Sequence, residues 1–377
     1  MIRVGKLTLD GHDNYGNKLQ NYALQVFLKK YADRVDTLWH SSLNIFDMNI
    51  AQWPLRRRIQ YACMKDKFEE RINHWQHDAI RKYRFKQFDD RYIHTKYDYV
   101  GAFGSNIAQE YDFFVVGSDQ VWNPYEPQKP ETVFLTFAPA AKRIAYAASF
   151  GVSEIPGHLK KDFSKYLQEM AAVSVREQRG AEIVRELTGR NVPVLIDPTM
   201  LLTNEEWNSI SRRPIWMKEN YPSYILSYFL GVIPEGVRHR MIQLAEKWHL
   251  QIIDLMDERH LDWYCSEPAE FLYLVSHANL VYTDSFHGAV FSILYHRPFV
   301  ICDRKAKRVE KRMNSRIETL LALFHLQNRY GTDENQYAVE APFEINFGGS
   351  EQILAEERRK SDRFIREAMG FPMIGKV

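Results

Sequence analysis

Residues 280–302 run from an apolar strand through a sharp polar turn and a short apolar helix into a second apolar strand. That succession leaves few folds open. Strands joined through a helix lie parallel, and parallel sheets are stable only when helices cover both faces. The pattern recurs along the chain. Residues 2–9 read as a strand, Asn14-Tyr15-Gly16-Asn17 as a turn, and Leu19, Tyr22, Ala23, Val26 and Phe27 repeat at helical spacing to about residue 31. Further strands are expected near 34–39, 111–117, 143–150, 171–175 and 193–196, with a helix over 178–188. A polar stretch at 203–222, holding Pro214 and Pro222, reads as a linker. Beyond it the alternation restarts with strand 224–229, helix 235–249, strand 251–255, helix 267–277, the turn at 283–288 and strand 299–302.

The predicted fold class is therefore α/β, GT-B-like, with two Rossmann-like doubly wound parallel-sheet domains facing a cleft. A chain of 377 residues suits two such cores better than one. The expected domains are 1–205 and 215–345, followed by a helical segment at 350–377 that crosses back to the first domain. An insertion at 53–96 carries twelve Lys or Arg against six Asp or Glu, interleaved with aromatic residues. Such an arm suits an anionic membrane surface or a lipid-linked diphosphate; a solvated helical hairpin packed on the sheet is the plainer alternative.

Composition excludes several classes of function. A formal net charge of +2 argues against a dedicated nucleic-acid binder. Cys63, Cys265 and Cys302 are few, odd in number and far apart, which fits reduced thiols. The chain begins with a strand-like segment and holds no apolar run long enough to span a bilayer, so a cytoplasmic protein is expected, with peripheral contact to the inner membrane surface left open. His74 and His77 lie three apart on a predicted helix without a supporting carboxylate or cysteine motif, and no metal is expected.

The turn at 283–288 holds the clearest chemistry. Thr283, Asp284 and Ser285 end a buried strand, and His287 and Gly288 open a helix whose backbone N–H groups face the region where open α/β sheets bind ligands. A phosphate or carboxylate suits that place.

Seven segments, in order, resemble the polysaccharide pyruvyl transferase family: Tyr-Gly-Asn-Lys-Leu-Gln-Asn-Tyr-Ala at 15–23, Gly-Ser-Asp-Gln-Val-Trp-Asn-Pro at 117–124, Tyr-Ala-Ala-Ser-Phe-Gly at 146–151, Ser-Val-Arg-Glu at 174–177, Asp-Pro-Thr at 197–199, Thr-Asp-Ser-Phe-His-Gly at 283–288 and Asn-Ser-Arg-Ile at 314–317. The resemblance implies a two-domain GT-B enzyme that moves the pyruvyl group of phosphoenolpyruvate onto a sugar, often as a cyclic ketal. It also implies polysaccharide or capsule assembly, a hexose such as galactose on a nucleotide or lipid-diphosphate carrier, and phosphoenolpyruvate as co-substrate with no cofactor. Many relatives place an arginine directly before the histidine; Phe286 stands there in this chain. The donor's charge must then be met elsewhere, and Arg176, Lys305, Lys307 and Arg312 are available.

On this reading His287 is the acid that protonates the donor's methylene carbon. Arg176 follows a buried strand and grips phosphate or carboxylate with a planar fork, unless it is tied to Glu177 or another acid. Ser285, Gly288, Lys305 and Arg312 join it in donor binding. Asp284 orients His287, deprotonates a hydroxyl or caps the helix. Asn17, Asp119, Gln120, Trp122 and Asn123 bind the acceptor, with Trp122 stacking on a pyranose face. Asp197-Pro198-Thr199 reads mainly as structural. The rival functions are a GT-B glycosyltransferase with a nucleotide-sugar donor and a non-catalytic scaffold of polysaccharide assembly.

Overall fold

The structure, a computed structural model, describes residues 1–9, 13–38, 68–96, 106–125, 129–304, 315–332 and 339–372. Two all-parallel sheets carry the fold. The first has six strands, β1 (Arg3–Leu7), β2 (Arg34–Leu38), β3 (Thr95–Lys96), β4 (Phe113–Val116), β5 (Arg143–Ala148) and β6 (Ala172–Val175), in the order β3-β2-β1-β4-β5-β6. Its helices include α1 (Tyr15–Leu28), α2 (Phe68–Tyr92) and α3 (Gln178–Thr188). The second has five, β7 (Tyr224–Tyr228), β8 (Gln251–Asp254), β9 (Leu280–Thr283), β10 (Phe299–Cys302) and β11 (Tyr330–Gly331), in the order β11-β10-β9-β7-β8. Its helices include α4 (Glu235–Trp248), α5 (Pro268–His277), α6 (Phe286–Leu294) and α7 (Ser315–Leu323); α8 (Ser350–Ala368) follows.

The doubly wound α/β reading is the observed architecture. Each sheet reverses its winding once, between β1 and β4 in the first and between β7 and β9 in the second. Ligands bind outside the carboxyl ends of strands at such switch points. The segment that follows β4 carries Asp119, and the segment that follows β9 carries His287. Pro193–Ile196 is not a strand; one bridge, Val175 to Val194, is all it makes. The predicted linker is packed rather than loose. Thr203 and Glu206 close a capping box on the turn Asn204–Asn208, and Trp207 is buried beneath it.

One apolar core runs through both sheets, from Val4 and Tyr146 in the first to Val281 and Ile301 in the second. Helix α1 is the wedge between them, with Tyr15 stacked on Phe271 at 4.5 Å and its hydroxyl donating to the Ser266 carbonyl at 2.8 Å. Helix α2 reinforces this junction. Arg81 is fully buried among the rings of Tyr15, Phe85 and Tyr264, and it donates to the Tyr15 hydroxyl and to the carbonyls of Asp13 and Tyr264. Arg84 pairs with Glu270 at 2.7 Å. The described part of the 53–96 insertion thus bridges the two sheets; residues 53–67 lie outside the described residues. Helix α8 returns to the first sheet, where Ser361 meets the Tyr146 hydroxyl at 3.0 Å and Arg358 donates to the carbonyls of Met200 and Leu202.

No helix among the described residues is long and apolar enough to cross a membrane. Cys265 and Cys302 are free and buried. Replacing Arg81 by Met keeps much of the apolar stem and removes the donors. Urea denaturation of Arg81→Met should show a loss of at least about 1.5–3 kcal/mol, the worth of one charge-assisted hydrogen bond; an unchanged midpoint would show that α2 does not lock the sheets together.

Candidate functional site

The carboxyl ends of β4 and β6 and the turn after residue 196 bring three buried charges together. Arg176, just past β6, points its Nη1 at Asp197 Oδ2, 2.7 Å away, and its Nη2 at Asp119 Oδ1, 3.4 Å away. Its guanidinium lies over the Phe286 ring at 4.5 Å. Ser118 donates to Asp197 Oδ2 at 2.9 Å, and the Thr199 hydroxyl and backbone N–H donate to Oδ1. Asp119 sits in the left-handed region at φ 62° and accepts from the Asn17 amide at 2.5 Å. The glycine before Ser118 is required by close approach, since a Cβ on Gly117 would lie 1.9 Å from the Tyr146 carbonyl oxygen.

The second sheet supplies the facing groups. His287, 5% exposed, places Nε2 3.6 Å from Asp197 Oδ2, and that nitrogen has no hydrogen-bond partner among the described residues. Helix α1 presses on its other side: a Cβ on Gly16 would lie 2.1 Å from His287 Nδ1. Arg316, near the start of α7, is also buried; its Nη1 lies 3.8 Å from Asp119 Oδ1, and with the Gln120 amide oriented to present its oxygen to the guanidinium it donates to that oxygen at 2.8 and 3.1 Å.

Burial alone would raise Asp197, but His287 and Arg176 hold its carboxyl well below the usual range. Asp119 is lowered against its burial by Arg176, His287 and Arg316. Arg176 is raised because Asp197 and Asp119 outweigh its desolvation. Arg316 moves the other way: burial, then the like charge of Arg176, push it down to about 10. Of the two arginines, it is the one short of negative charge.

A cavity of about 180 Å³ opens here. Arg176, Asp197 and Arg316 supply its polar end, Phe286, Leu195 and Leu320 part of its apolar wall, and Glu357 and Lys360 of α8 also line it. His287 is not itself a lining residue, but it adjoins the cavity at Asp197, 3.6 Å from its Nε2, and next to Phe286.

Several sequence expectations are corrected by these contacts. Trp122 cannot stack on a sugar: it is 1% exposed, lies parallel to Phe134 at 5.0 Å and donates Nε1–H to the Val133 carbonyl. Asn123 accepts from the Tyr125 N–H and shapes the turn. Asp284 neither orients His287 nor faces the cavity, because its oxygens accept from the backbone N–H groups of Leu230 and Gly231 at 2.8 Å and lie near Arg304. Ser285 is the N-cap of α6 and takes the Gly288 N–H, so neither is open to an anion. Gly288 is there for close packing, since a Cβ would lie 2.5 Å from Thr283 Oγ1. Glu177 is not the partner of Arg176; it accepts from Ser149 and from the Phe150 N–H, and burial raises its carboxyl. Lys305, Lys307, Arg312 and the side chain of His74 lie outside the described residues, and His77 binds the Glu258 carbonyl. Among the described residues no cluster of His, Cys, Asp or Glu suits a metal ion.

Two residues acquire a place that sequence reasoning did not give them. Asp197 read as structural yet joins Arg176 to His287. Arg316 lay inside the motif at 314–317, and its burial beside Arg176 was the missing signal.

Comparison with known proteins gives a family-model match, described as polysaccharide pyruvyl transferase, over residues 14–305. No curated protein sequence matches the chain. Among solved structures, UDP-GlcNAc 2-epimerase from Neisseria meningitidis bound to UDP-GlcNAc is similar at 10% identity and TM-score 0.41, covering 96% of this chain and 100% of that one. Anabaena HepE in complex with UDP is similar at 10% identity and TM-score 0.44, covering 98% and 100%. E. coli ADP-heptose lipopolysaccharide heptosyltransferase II gives 9% identity, TM-score 0.34 and coverage of 96% and 100%.

The carboxylate pair also sets an acid response. Asp197 and Asp119 titrate below the unfolded-state value of about 3.9. The stability they contribute is therefore complete above that pH and is lost as pH falls through their lower folded-state values. Asp197→Asn should shallow the acid limb of urea midpoint against pH below about pH 4, and its loss at neutral pH should approach the roughly 3–5 kcal/mol of a broken buried pair. A neutral-pH change under about 1 kcal/mol would mean that Arg176 is stabilised by other groups.

Proposed function

The chain belongs to the polysaccharide pyruvyl transferase family, and we propose that it transfers the pyruvyl group of phosphoenolpyruvate to a hexose such as galactose, closing a cyclic ketal in exopolysaccharide or capsule assembly. The observation that carries this reading is the pair of buried arginines, Arg176 and Arg316, sharing one small cavity. Arg176 is paired with Asp197, whereas Arg316 beside it is short of negative charge, and that buried charge calls for an anion. At about 180 Å³ the space lies below the roughly 300–1,000 Å³ usual for larger ligands. A three-carbon acid phosphate fits that scale better than a nucleotide sugar does, which favours this reading over a glycosyltransferase.

Phe286 stands where many relatives have an arginine, and Arg316 meets the donor's charge from α7 instead. The Phe286 ring supports the guanidinium of Arg176 from below. In the reaction, His287 gives a proton to the donor's methylene carbon, C2 becomes oxocarbenium-like, and a sugar hydroxyl adds to it. The bond from C2 to the phosphate oxygen then breaks, inorganic phosphate leaves, and a second hydroxyl closes the ketal. The two hydroxyl protons return one equivalent to His287 and one to the departing phosphate. Asp197 holds the imidazole and balances the arginine. Asp119, Gln120 and Asn17, on the first-domain side, receive the acceptor. The acceptor's carrier, a nucleotide or a lipid diphosphate, and cytoplasmic action at the inner membrane surface belong to the same proposal.

The direct test is phosphate release from phosphoenolpyruvate with a library of carrier-linked oligosaccharides, read together with mass spectrometry of the products. No release with any hexose acceptor, combined with turnover of a nucleotide sugar, would replace this reading by the glycosyltransferase.

His287→Asn should fold normally and lose on the order of 10²-fold or more in turnover, the range for a general acid. Turnover within a few-fold of wild type would move the acid elsewhere in the cleft. Arg316→Ala should weaken phosphoenolpyruvate binding by roughly 1.5–3 kcal/mol, and Arg316→Lys should recover only part of it. Calorimetry showing unchanged donor affinity in Arg316→Ala would remove this residue from the donor site.

A further inference from the structure

Helix α8 has the cavity of Arg176 and Arg316 on one side and a larger hollow of about 570 Å³ on the other. Five cations line this second hollow: Lys30, two residues past the end of α1, and Arg358, Arg359, Arg363 and Arg366 of α8. It also contains two carboxylates, and both are engaged. Glu206 accepts from the Thr203 N–H at 2.7 Å within the capping box. Asp362 accepts from the Tyr31 hydroxyl and, at 2.9 Å, from Arg366 Nε.

Arg358 is fixed in place by the Met200 and Leu202 carbonyls, at 2.8 and 2.7 Å, and burial lowers it. Lys30, Arg359 and Arg363 are exposed and make no ion pair among the described residues. The lining therefore holds an excess of three positive charges around one concave space. A pre-placed, partly desolvated arginine backed by three unpaired cations suits a compact ligand with several negative charges. Its volume falls in the range of ordinary ligand sites. A flat bilayer surface meets exposed charges but does not enter a hollow floored by the buried side chains of Phe27 and Leu201.

We propose that this hollow binds a diphosphate group, at a site distinct from the cavity of Arg176 and Arg316. Lys30, Arg359 and Arg363 contact the phosphates, and Arg358 forms the fixed wall. The diphosphate belongs either to a soluble nucleotide or to a lipid-linked carrier. Its occupant is one wall away from the first cavity, because Met200 lines that cavity while its carbonyl is held by Arg358. The proposal does not rest on the identity of the reaction.

The test is calorimetric titration of the full chain with inorganic pyrophosphate at low salt, with and without saturating phosphoenolpyruvate. Wild type should bind pyrophosphate, more weakly as salt rises. The double variant Arg359→Ala/Arg363→Ala should bind at least about tenfold more weakly, equivalent to ~1.4 kcal/mol, with its thermal midpoint unchanged. Lys30→Ala, on a different segment of the chain, should weaken binding in the same direction and keeps the test valid if the double variant does not fold. Uridine diphosphate and vesicles doped with a polyprenyl diphosphate separate the two sources, and loss of either interaction in the variants supports the site. Pyrophosphate binding that survives the substitutions overturns the proposal, whether or not phosphoenolpyruvate binds. Equal flotation with plain phosphatidylglycerol vesicles, unaffected by pyrophosphate, also overturns it and assigns the charges to a membrane surface.

Discussion

The buried chain Asp119–Arg176–Asp197 is the constraint around which the cleft is built. Taking an arginine out of water is costly unless its donors are met, and here two carboxylates from separate loops converge on one guanidinium. That convergence fixes the loop after β4, the end of β6 and the turn at Pro198–Met200 relative to one another. The second sheet then closes on this cluster with Phe286 over the guanidinium and His287 beside Asp197. Arg316 adds a second cation that, among the described residues, finds Asp119 at 3.8 Å and the Gln120 amide. Two cations thus face two carboxylates, yet one cation is well paired and the other is not. An incoming anion gains most at Arg316.

The helix that opens with His287 shows how local packing decides which groups stay reactive. Its first turn looks like an anion cradle, but Ser285 already fills the cap and Thr283 accepts from the Ser285 N–H. The helix dipole therefore acts as a field, while side chains from other elements supply the donors. His287 keeps Nε2 unbonded because Gly16 gives its ring room on the opposite edge. A glycine on the first helix and a histidine on the sixth are thus two parts of one arrangement.

Much of this was legible in the chain itself. Apolar runs alternating with helical spacing gave the parallel sheets and the restart after residue 222, and 178–188 was read as a helix to the residue. Arg176 and His287 were picked out because each follows a buried strand. The sugar-platform role of Trp122 failed for a simple reason: an aromatic ring among polar neighbours has the same sequence whether it faces solvent or, as here, packs on Phe134. Asp284 and Asp197 exchange importance because in sequence both follow an apolar, strand-like run, and only tertiary contacts reveal that one holds backbone N–H groups while the other holds Arg176. Arg316 was passed over because nothing local marks a helical arginine as buried. The bridging role of α2 was hidden too, since a basic aromatic helix reads as a surface arm until Arg81 is seen inside the core.

The apolar core that runs through both sheets, beside a smaller one within each half, has a consequence for inheritance as well as for folding. In many two-domain enzymes the halves are modules, joined by a hinge and exchangeable between relatives. Here the Tyr15–Phe271 stack, the Arg81 clamp and the return of α8 make each half part of the other's interior. A recombinant that joins the first half of one relative to the second half of another would inherit mismatched surfaces along this seam. Divergence of donor and acceptor specificity in such a chain must therefore proceed by point changes within a shared core, not by shuffling of domains.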